Sequence, residues 1–420
     1  KGWFGASCQY KCHCRLDLCE SVDGSCTQGD SCASGWFGPA CQYEDLVQSE
    51  TLDQSLLPPF VVRDSNDNTC VDDSTQRVII VWTIPYQFTW LRAVVKDPDV
   101  LSRLFLQFKT DSSQSVNCTN HQQARVNDRT VDIHCDLSEM VKQVIITGEG
   151  VKYLCSVYIS GGRNVALHQR TTQARIYPYT SLSKNAVDGN KGNILEYHRC
   201  TKTNFDDNSP AWTVIFSGKL TVNRYVLYNG ATISHRLEGF LLESFSEEGT
   251  NVFRFKDPVP TVPGVYTVTS TAPTSPISLV KIQSTSFLVL CEVEIFGDSL
   301  CESGQYGREC EHKCACADKN DTCFVSTGGC PSGCAPGFQG ESCSQACDHG
   351  TYGADCSSSC SQFCVTGDIS ESACDHIDGS CLHGCQAGYQ GPKCDQSRLP
   401  FIYFTHHHCI YSWADHIYNK

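Results

Sequence analysis

The chain has 420 residues, and its 46 acidic and 32 basic side chains give a net charge of −14 at neutral pH. This charge argues against nucleic-acid binding, which needs a basic surface that displaces counterions from phosphates. Thirty cysteines are far too many for an ordinary cytosolic enzyme and indicate disulfides formed in an oxidising compartment. The best apolar run, residues 287–296, is too short to span a bilayer and contains Glu292 and Glu294.

From the N-terminus onward, the cysteines divide the chain into dense flanks and a sparse middle. Seven lie in residues 1–43, sixteen in residues 301–394 and only six in residues 44–300. Segments of about 35–50 residues cannot bury enough apolar surface to fold unaided. We therefore expect disulfides, each worth about 3 kcal/mol for a loop of roughly 15 residues, to stabilise the flanks. The middle has ordinary globular composition and can form hydrophobic cores.

One cysteine ladder recurs in the flanks, and each copy closes with a Gly-aromatic-x-Gly turn. The copies comprise Cys12, Cys14, Cys19, Cys26, Cys32 and Cys41; Cys314, Cys316, Cys323, Cys330, Cys334 and Cys343; and Cys360, Cys364, Cys374, Cys381, Cys385 and Cys394. Two further loops, Cys301 to Cys310 and Cys347 to Cys356, carry a related Gly-x-Tyr-Gly signature. Such recurrence indicates an array of one small module. Zinc is the alternative, but it favours Cys-x2–4-Cys pairs, which these Cys-x-Cys pairs fit poorly.

The middle of the chain alternates apolar and polar residues in short runs. Examples are Val78-Ile80-Trp82, Trp212-Val214-Phe216 and the run from Phe287 to Ile295. Polar, turn-rich stretches separate them, which favours sandwiches of antiparallel sheets.

The middle also repeats itself. Residues 153–161 resemble residues 289–297, and each closing cysteine has an earlier partner at a similar distance. Cys70 lies 85 residues before Cys155, and Cys200 lies 91 residues before Cys291. Two copies follow, spanning residues 44–161 and 162–298.

The cysteine ladder resembles epidermal-growth-factor-like (EGF-like) modules of the laminin type, as found in multiple-EGF scavenger and engulfment receptors. The resemblance covers about 130 residues. It implies that the first cysteine of a ladder pairs with the third, the second with the fourth and the fifth with the sixth. The implied pairs are Cys12–Cys19, Cys14–Cys26, Cys32–Cys41, Cys314–Cys323, Cys316–Cys330, Cys334–Cys343, Cys360–Cys374, Cys364–Cys381 and Cys385–Cys394. Cys8 closes a loop whose partner would lie upstream of Lys1, so we expect it to be unpaired and the N-terminus to be truncated.

The second middle copy resembles the F-type lectins (fucolectins), a jelly-roll family of the galactose-binding-like class. The resemblance covers residues 162–298, and its motifs are Asn164-Val-Ala-Leu, Asn185-Ala-Val-Asp-Gly-Asn190, Cys200-Thr-Lys-Thr, Trp212, Arg236-Leu-Glu-Gly and Leu290-Cys-Glu-Val-Glu-Ile-Phe-Gly297. The first copy is more eroded but keeps both long-range cysteines. It also has Cys118 and Cys135 at the spacing of the family's second disulfide.

The lectin resemblance implies a structural Ca²⁺ in the second copy. The implied ligands are Asn185, Asp188, Asn190, the carbonyl groups of Arg199 and Cys291, and Glu292. A hard cation binds six to eight oxygens, so these ligands suit it. The alternative, without a bound ion, is that Asp-Gly-Asn is only a turn and that Glu292 is a solvated strand residue. We expect no ion in the first copy, which has Ser156 in place of Glu292.

Sugar binding by the lectin family depends on a His…Arg-x-Asp…Arg/Lys set, and this chain departs from it. Lys202 stands at the histidine position, Asn229 at the first arginine and Ala231 at the aspartate, while Arg236 is retained. Loss of the aspartate matters because a buried donor without a partner costs about 1–3 kcal/mol. Lys202, Asn229 and Arg236 therefore form a weak candidate ligand pocket. Lys202 and Arg236 could instead serve a different glycan or a protein, or be ordinary surface charges.

Two glycosylation sequons start at Asn117 and Asn320, and only the second lacks a disulfide cysteine within it. The last 24 residues, with His406, Cys409 and His416, match no module and are expected to be irregular. Hydrolase, metalloprotease and phosphate-loop motifs do not occur, so we predict no enzyme activity.

These inferences give a mainly β chain with galactose-binding-like jelly-roll sandwiches between small disulfide-rich modules. The predicted order is an EGF-like remnant at 1–9, an EGF-like module at 10–43, a degenerate lectin-like sandwich at 44–161, a lectin-like sandwich at 162–298, EGF-like modules at 299–345 and 346–396, and a tail at 397–420. We predict an extracellular, secreted or receptor-ectodomain protein that binds glycan or protein ligands, with self-association possible and no membrane span in this chain. The alternative is a structural matrix or filament glycoprotein without sugar binding.

Overall fold

The computed structural model describes residues 1–5, 7–27, 30–174, 181–192, 199–204, 206–230, 237–258, 263–271, 274–285, 287–367 and 371–398. Strands, turns and a few 3-10 helices make up these residues, so the predicted mainly β class is confirmed. The 3-10 helices are Pro39–Cys41, Leu46–Gln48, Phe60–Val62, Pro98–Arg103, Glu149–Tyr153, Ser183–Val187 and Ala354–Cys356. Among the described residues, no helix is long and apolar enough to cross a membrane.

The first sandwich consists of two four-stranded antiparallel sheets. One sheet has the order Leu154–Ile159, Trp90–Val95, Thr130–Asp136 and Thr119–Asn127. The other has the order Val78–Tyr86, Val141–Thr147, Phe105–Lys109 and Ser115–Val116. Alternating side chains such as Val78, Ile80 and Trp82 are almost fully buried between the sheets, as the period of two requires.

The second sandwich is one eight-stranded antiparallel sheet organised around a long strand, Ala211–Tyr228, which pairs with four other strands. The first part of this strand pairs with Arg170–Gln173 and with Ile277–Gln283. The Ile277–Gln283 strand pairs in turn with Leu241–Phe245, which pairs with Asn251–Lys256. The second part pairs with Val265–Thr269 and Glu292–Ser299, and the latter continues to Arg163–Asn164. A separate pair joins Thr201–Lys202 to Val289–Leu290.

The closing strand differs from the sequence prediction in one respect. The alternating run from Phe287 to Ile295 is split into two strands at Cys291, where the disulfide to Cys200 is attached. Residues 292–297 are then buried on both faces rather than on one. This strand therefore lies inside the molecule, with neighbours on either side.

The flanking modules contain short hairpins and disulfides. Their strands are Trp3–Phe4 with Tyr10–Lys11, Trp36–Phe37 with Tyr43–Glu44, Gln305–Tyr306 with His312–Lys313, Thr351–Tyr352 with Ser358–Ser359, and Tyr389–Gln390 with Gln396–Ser397, together with Phe338–Gln339 and Gln345–Ala346. The structure has disulfides at the nine ladder pairs given above and also at Cys70–Cys155, Cys118–Cys135, Cys200–Cys291, Cys301–Cys310 and Cys347–Cys356. Cys8 is an exposed free thiol.

The chain folds as two compact units. The first comprises residues 1–335 with 339–345, and the second comprises residues 336–338 with the described part of 346–420. The first unit therefore contains the N-terminal modules, both sandwiches and most of the 299–345 module. The tail residues His406, Cys409 and His416 lie outside the described residues.

Aromatic rings connect three modules of the first unit around Trp90, which is 1% exposed. The centroid of the Trp90 ring lies 4.8 Å from the ring centroid of Phe37 and 5.1 Å from that of Tyr43, both in the N-terminal flank. On the C-terminal side, His134 stacks on Trp90 at 5.5 Å and on Phe324 at 3.6 Å. A residue of the first sandwich thus becomes the core of an inter-module junction.

Buried ion pairs reinforce these junctions. Arg92 donates to both oxygens of the fully buried Asp132, at 2.7 and 2.8 Å, and also to Glu341 of the 299–345 module. Glu44, just after the N-terminal module, pairs with Arg224 of the second sandwich. The modules of this unit are therefore packed against one another rather than strung along a flexible chain.

Candidate functional site

The candidate cation site begins with the loop after the 3-10 helix Ser183–Val187. Asp188 ends this helix, and Gly189 follows with φ = +79°, a backbone conformation that favours glycine. The Asn190 amide donates to Asp188 Oδ1 at 2.9 Å, and the Gly192 amide donates to Asn190 Oδ1 at 3.1 Å. Two successive Asx turns therefore shape a short oxygen-rich loop.

Glu292, on the closing strand, faces this loop. Its side chain is fully buried, and Oε1 accepts a hydrogen bond from the Gly189 amide at 3.0 Å. Oε2 is buried and has no hydrogen-bond partner among the described residues. Burial, reinforced by the charges of Asp188 and Glu294, raises the pKa of Glu292 well above its usual value. Lys191 opposes this shift only weakly, because it is paired with Glu294, so the negative charge of Glu292 is compensated only in part.

The neighbouring carboxylates show which of them needs a cation. Glu294 is paired with Lys191 at 2.9 Å and accepts a hydrogen bond from the Tyr228 hydroxyl at 2.9 Å. Asp188 has no such cation in the loop, and burial raises its pKa. The uncompensated charge is therefore concentrated on Glu292 and Asp188.

The other predicted ligands are brought to the same region by the backbone. The Cys200–Cys291 disulfide and the pairing of Thr201–Lys202 with Val289–Leu290 place the backbone of Arg199 beside that of Cys291. Asn185 is 7% exposed and lies in the preceding 3-10 helix. The predicted set contains carboxylate, carboxamide and carbonyl oxygens and no sulfur or imidazole ligand. These residues fit a hard divalent cation such as Ca²⁺.

The first sandwich is closed differently at the corresponding disulfide. Arg129 Nη2 lies 3.9 Å from Cys155 Sγ and donates to the Asp67 carbonyl at 2.8 Å, while Arg129 Nε donates to the Val95 carbonyl at 2.9 Å. A guanidinium group therefore satisfies the backbone oxygens beside Cys70–Cys155. Ser156, at the position of Glu292, is buried and uncharged.

The three residues of the predicted sugar pocket are in different environments. Lys202 is half-buried, and desolvation lowers its pKa. Asn229 is fully buried, and its Oδ1 accepts a hydrogen bond from the Gly230 amide at 2.9 Å. Arg236 and Ala231 lie outside the described residues. The side chain of Asn229 thus organises its own loop, while Lys202 lies half-buried on the Thr201–Lys202 strand.

Cysteine sulfurs cluster within each of the three cysteine ladders, as a zinc site would require. The sulfurs of Cys14, Cys26 and Cys41 lie within 4.8 Å of one another, and the other two ladders have similar clusters. Each of these sulfurs belongs to a disulfide, so none is a thiolate that could ligate zinc.

Both sequon asparagines, Asn117 and Asn320, are exposed. The buried arginines and aromatic rings of the inter-module junctions were not predicted from the sequence. Their residue types and spacing carry no local signal, because each finds its partners in a distant part of the chain.

No protein-family model matches this chain, and no curated protein matches it. Solved structures do resemble it. A fucose binding module of Streptococcus pneumoniae is 23% identical, covering 32% of this chain and 96% of its own, with a TM-score of 0.29. The lectin domain of lectinolysin, complexed with Lewis B antigen, is 27% identical over 32% of this chain and 96% of its own, with a TM-score of 0.30. An F-lectin (fucolectin) from striped bass (Morone saxatilis) serum is 20% identical over 57% of this chain and 91% of its own, with a TM-score of 0.30.

Proposed function

We propose that the chain is an extracellular recognition protein whose second sandwich is stabilised by a bound Ca²⁺. The observation that carries this proposal is the buried Glu292 carboxylate, which has one oxygen without a hydrogen-bond partner among the described residues and lies close enough to Asp188 for that charge to raise its pKa. When bound, Ca²⁺ would supply the missing positive charge and fix the 185–192 loop. The fourteen disulfides described above support an oxidising, extracellular location.

The ligand in this proposal is a glycan or a protein that binds at the end of the sandwich carrying Lys202. This lysine lies on the Thr201–Lys202 strand, next to the disulfide that supports the cation loop. Binding would use loops that the disulfide and the ion hold in place before the ligand arrives. No chemical step is involved, so the expected activity is binding alone.

A glycan array tests the recognition proposal. The whole chain should bind a defined set of sugars in Ca²⁺, and chelation with EDTA should reduce the signal because the loops lose their support. Lys202→Gln should weaken that signal, whereas Lys256→Gln, a change at an exposed lysine of the Asn251–Lys256 strand, should not. A flat signal for all sugars in Ca²⁺ would remove the glycan part of the proposal.

A second candidate function is that of a structural matrix or filament protein. The tight packing of the first unit favours it, since Trp90, Arg92 and Arg224 join the modules through buried contacts. The burial of Asn229 also removes one of the expected sugar contacts from the surface. Electron microscopy of the purified chain distinguishes the two functions, because ordered end-to-end assembly supports the structural role and dispersed particles contradict it.

A further inference from the structure

A basic cleft lies between the N-terminal module and the second sandwich. Its lining includes four cationic side chains, Lys11, Arg163, Lys191 and Arg308, and one carboxylate, Glu294. Glu294 is already paired with Lys191 at 2.9 Å. The cleft is therefore strongly positive in a chain whose net charge is −14.

Two of these cations are buried with unused hydrogen-bond donors. Arg163 is 4% exposed and Arg308 is 5% exposed. The Nε atom of each is buried without a hydrogen-bond partner among the residues that the structure describes. Buried donors are normally satisfied, and both arginines line this cleft, so their two unsatisfied Nε groups indicate an acceptor that is not part of the chain.

The charges around the two arginines are also unbalanced. Arg163 is paired with Asp298 at 2.6 Å. Among the described residues, Arg308 donates to neutral groups alone, the carbonyl oxygens of Val165 (at 3.1 Å) and Leu167, and its guanidinium lies 5.1 Å from the centre of the Tyr10 ring. Burial and repulsion from Arg163 lower the pKa of Arg308 to about 10.

The acidic residues next to Arg308 have other partners. Glu309 Oε1 accepts a hydrogen bond from Gln169 Nε2 at 2.9 Å, and Glu311 Oε2 accepts one from the Glu309 amide at 2.8 Å. Their charges attract Arg308, but neither forms an ion pair with it among the described residues. In the part of the chain that the structure describes, no anionic side chain is therefore in direct contact with Arg308.

We propose that this cleft is an anion-binding site, in which a sulfate or carboxylate group lies between the guanidinium groups of Arg163 and Arg308 with Lys11 beside it. A guanidinium presents several N–H donors in a fixed plane, which matches the oxygens of such groups. The cleft adjoins the Glu292 cation site, since Gly189 and Lys191 of the 185–192 loop line it, but its anion would be held by Arg163 and Arg308, and Lys202 is not among its lining residues. The anion-binding proposal stands whether or not the recognition proposal holds.

Isothermal titration of the whole chain tests the site. The probes are sodium sulfate, sodium glucuronate and glucose, with ionic strength held constant by sodium chloride. We expect saturable binding of an anion and none of glucose. Equal affinities for the two anions indicate a site for the acidic group alone, and tighter glucuronate binding indicates an acidic sugar. Failure of both anions to bind overturns the proposal.

Variants locate the binding. Arg308→Gln should weaken anion binding at least about tenfold, because a charge-assisted hydrogen bond is lost. Lys11→Gln, which changes a half-buried side chain of a short hairpin, should weaken it severalfold and leave the near-ultraviolet circular dichroism unchanged. The matched control is Arg254→Gln, which removes a 65% exposed guanidinium from the Asn251–Lys256 strand and should not alter binding. If Arg308→Gln does not fold, Lys11→Gln decides, and unchanged affinity in that variant contradicts the proposal.

Discussion

Glu292 and Glu294 are two residues apart on one strand, yet different groups compensate the negative charges of their carboxylates. Glu294 has a lysine and a tyrosine hydroxyl, whereas Glu292 has a single backbone amide. A carboxylate buried without a counter-charge normally destabilises a fold. The contrast between these two residues is the strongest reason at the residue scale to place a cation beside Glu292.

Replacing Glu292 with glutamine should remove Ca²⁺ binding while leaving the fold intact. The variant loses an anionic ligand, but it also loses a buried charge that is uncompensated without the ion. In EDTA we therefore expect Glu292→Gln to unfold at the same temperature as the wild type or higher. In Ca²⁺ the wild type alone should be stabilised, by about 2.7 kcal/mol at a concentration of 100 Kd.

Differential scanning calorimetry with and without Ca²⁺ measures both effects. Glu139→Gln is the control, since Glu139 is an exposed residue of the first sandwich. Equal stabilisation of the wild type and Glu292→Gln by Ca²⁺ would show that Glu292 is not a ligand.

At the scale of elements, two disulfides close loops of nearly equal length, and we expect that only one of them affects Ca²⁺ binding. Cys200–Cys291 spans 91 residues and lies next to the proposed cation site, while Cys70–Cys155 spans 85 residues and lies beside Arg129. Replacing both cysteines of either pair with serine should cost about 2–5 kcal/mol. Only the loss of Cys200–Cys291 should also weaken Ca²⁺ binding.

Chemical denaturation and Ca²⁺ titration of the two double variants separate these effects. The Cys70→Ser/Cys155→Ser chain is the matched control because its loop entropy is similar. If the Cys200→Ser/Cys291→Ser chain binds Ca²⁺ as tightly as the control, the disulfide does not position the cation ligands.

The elements also show what sequence can and cannot predict here. The cysteine ladders are local and periodic, so the sequence could show the repeat, while their pairs were implied by the resemblance to EGF-like modules. Alternating runs indicated strands such as Val78–Tyr86. The break at Cys291 was not predicted, because the alternation of apolar residues continues through it. The contacts of Trp90 and Arg308 depend on residues far away in the chain, which one sequence cannot pair.

At the scale of the whole molecule, acid should loosen the junction around His134. Burial lowers the pKa of His134 to about 3, below its usual 6.5, so the folded state disfavours protonation. The contribution of His134 to the free energy of unfolding is fully present above pH 6.5 and decreases as the pH drops toward 3. The loss at pH 5 is about 2 kcal/mol, from 1.5 pH units at about 1.36 kcal/mol each.

Chemical denaturation at pH 7 and pH 5 tests this dependence with His134→Phe. The phenyl ring can stack on Trp90 and Phe324 but does not titrate, so the variant should lose less stability between the two pH values. His121→Phe, at an exposed position, should keep the wild-type dependence. An identical pH dependence in wild type and His134→Phe would contradict the interpretation.

The same junctions predict that the two sandwiches need the modules around them. A chain of residues 44–300 lacks Phe37, Tyr43, Phe324 and Glu341, so Trp90, His134 and Arg92 become exposed. We expect it to unfold at a lower temperature than residues 10–345. We also expect it to bind the hydrophobic dye ANS, because the exposed aromatic cluster forms a hydrophobic surface patch. Scanning calorimetry and ANS fluorescence of both chains measure this difference. If residues 44–300 unfold at the same temperature as residues 10–345 and bind no dye, the modules fold independently, and the packing between them contributes little to stability.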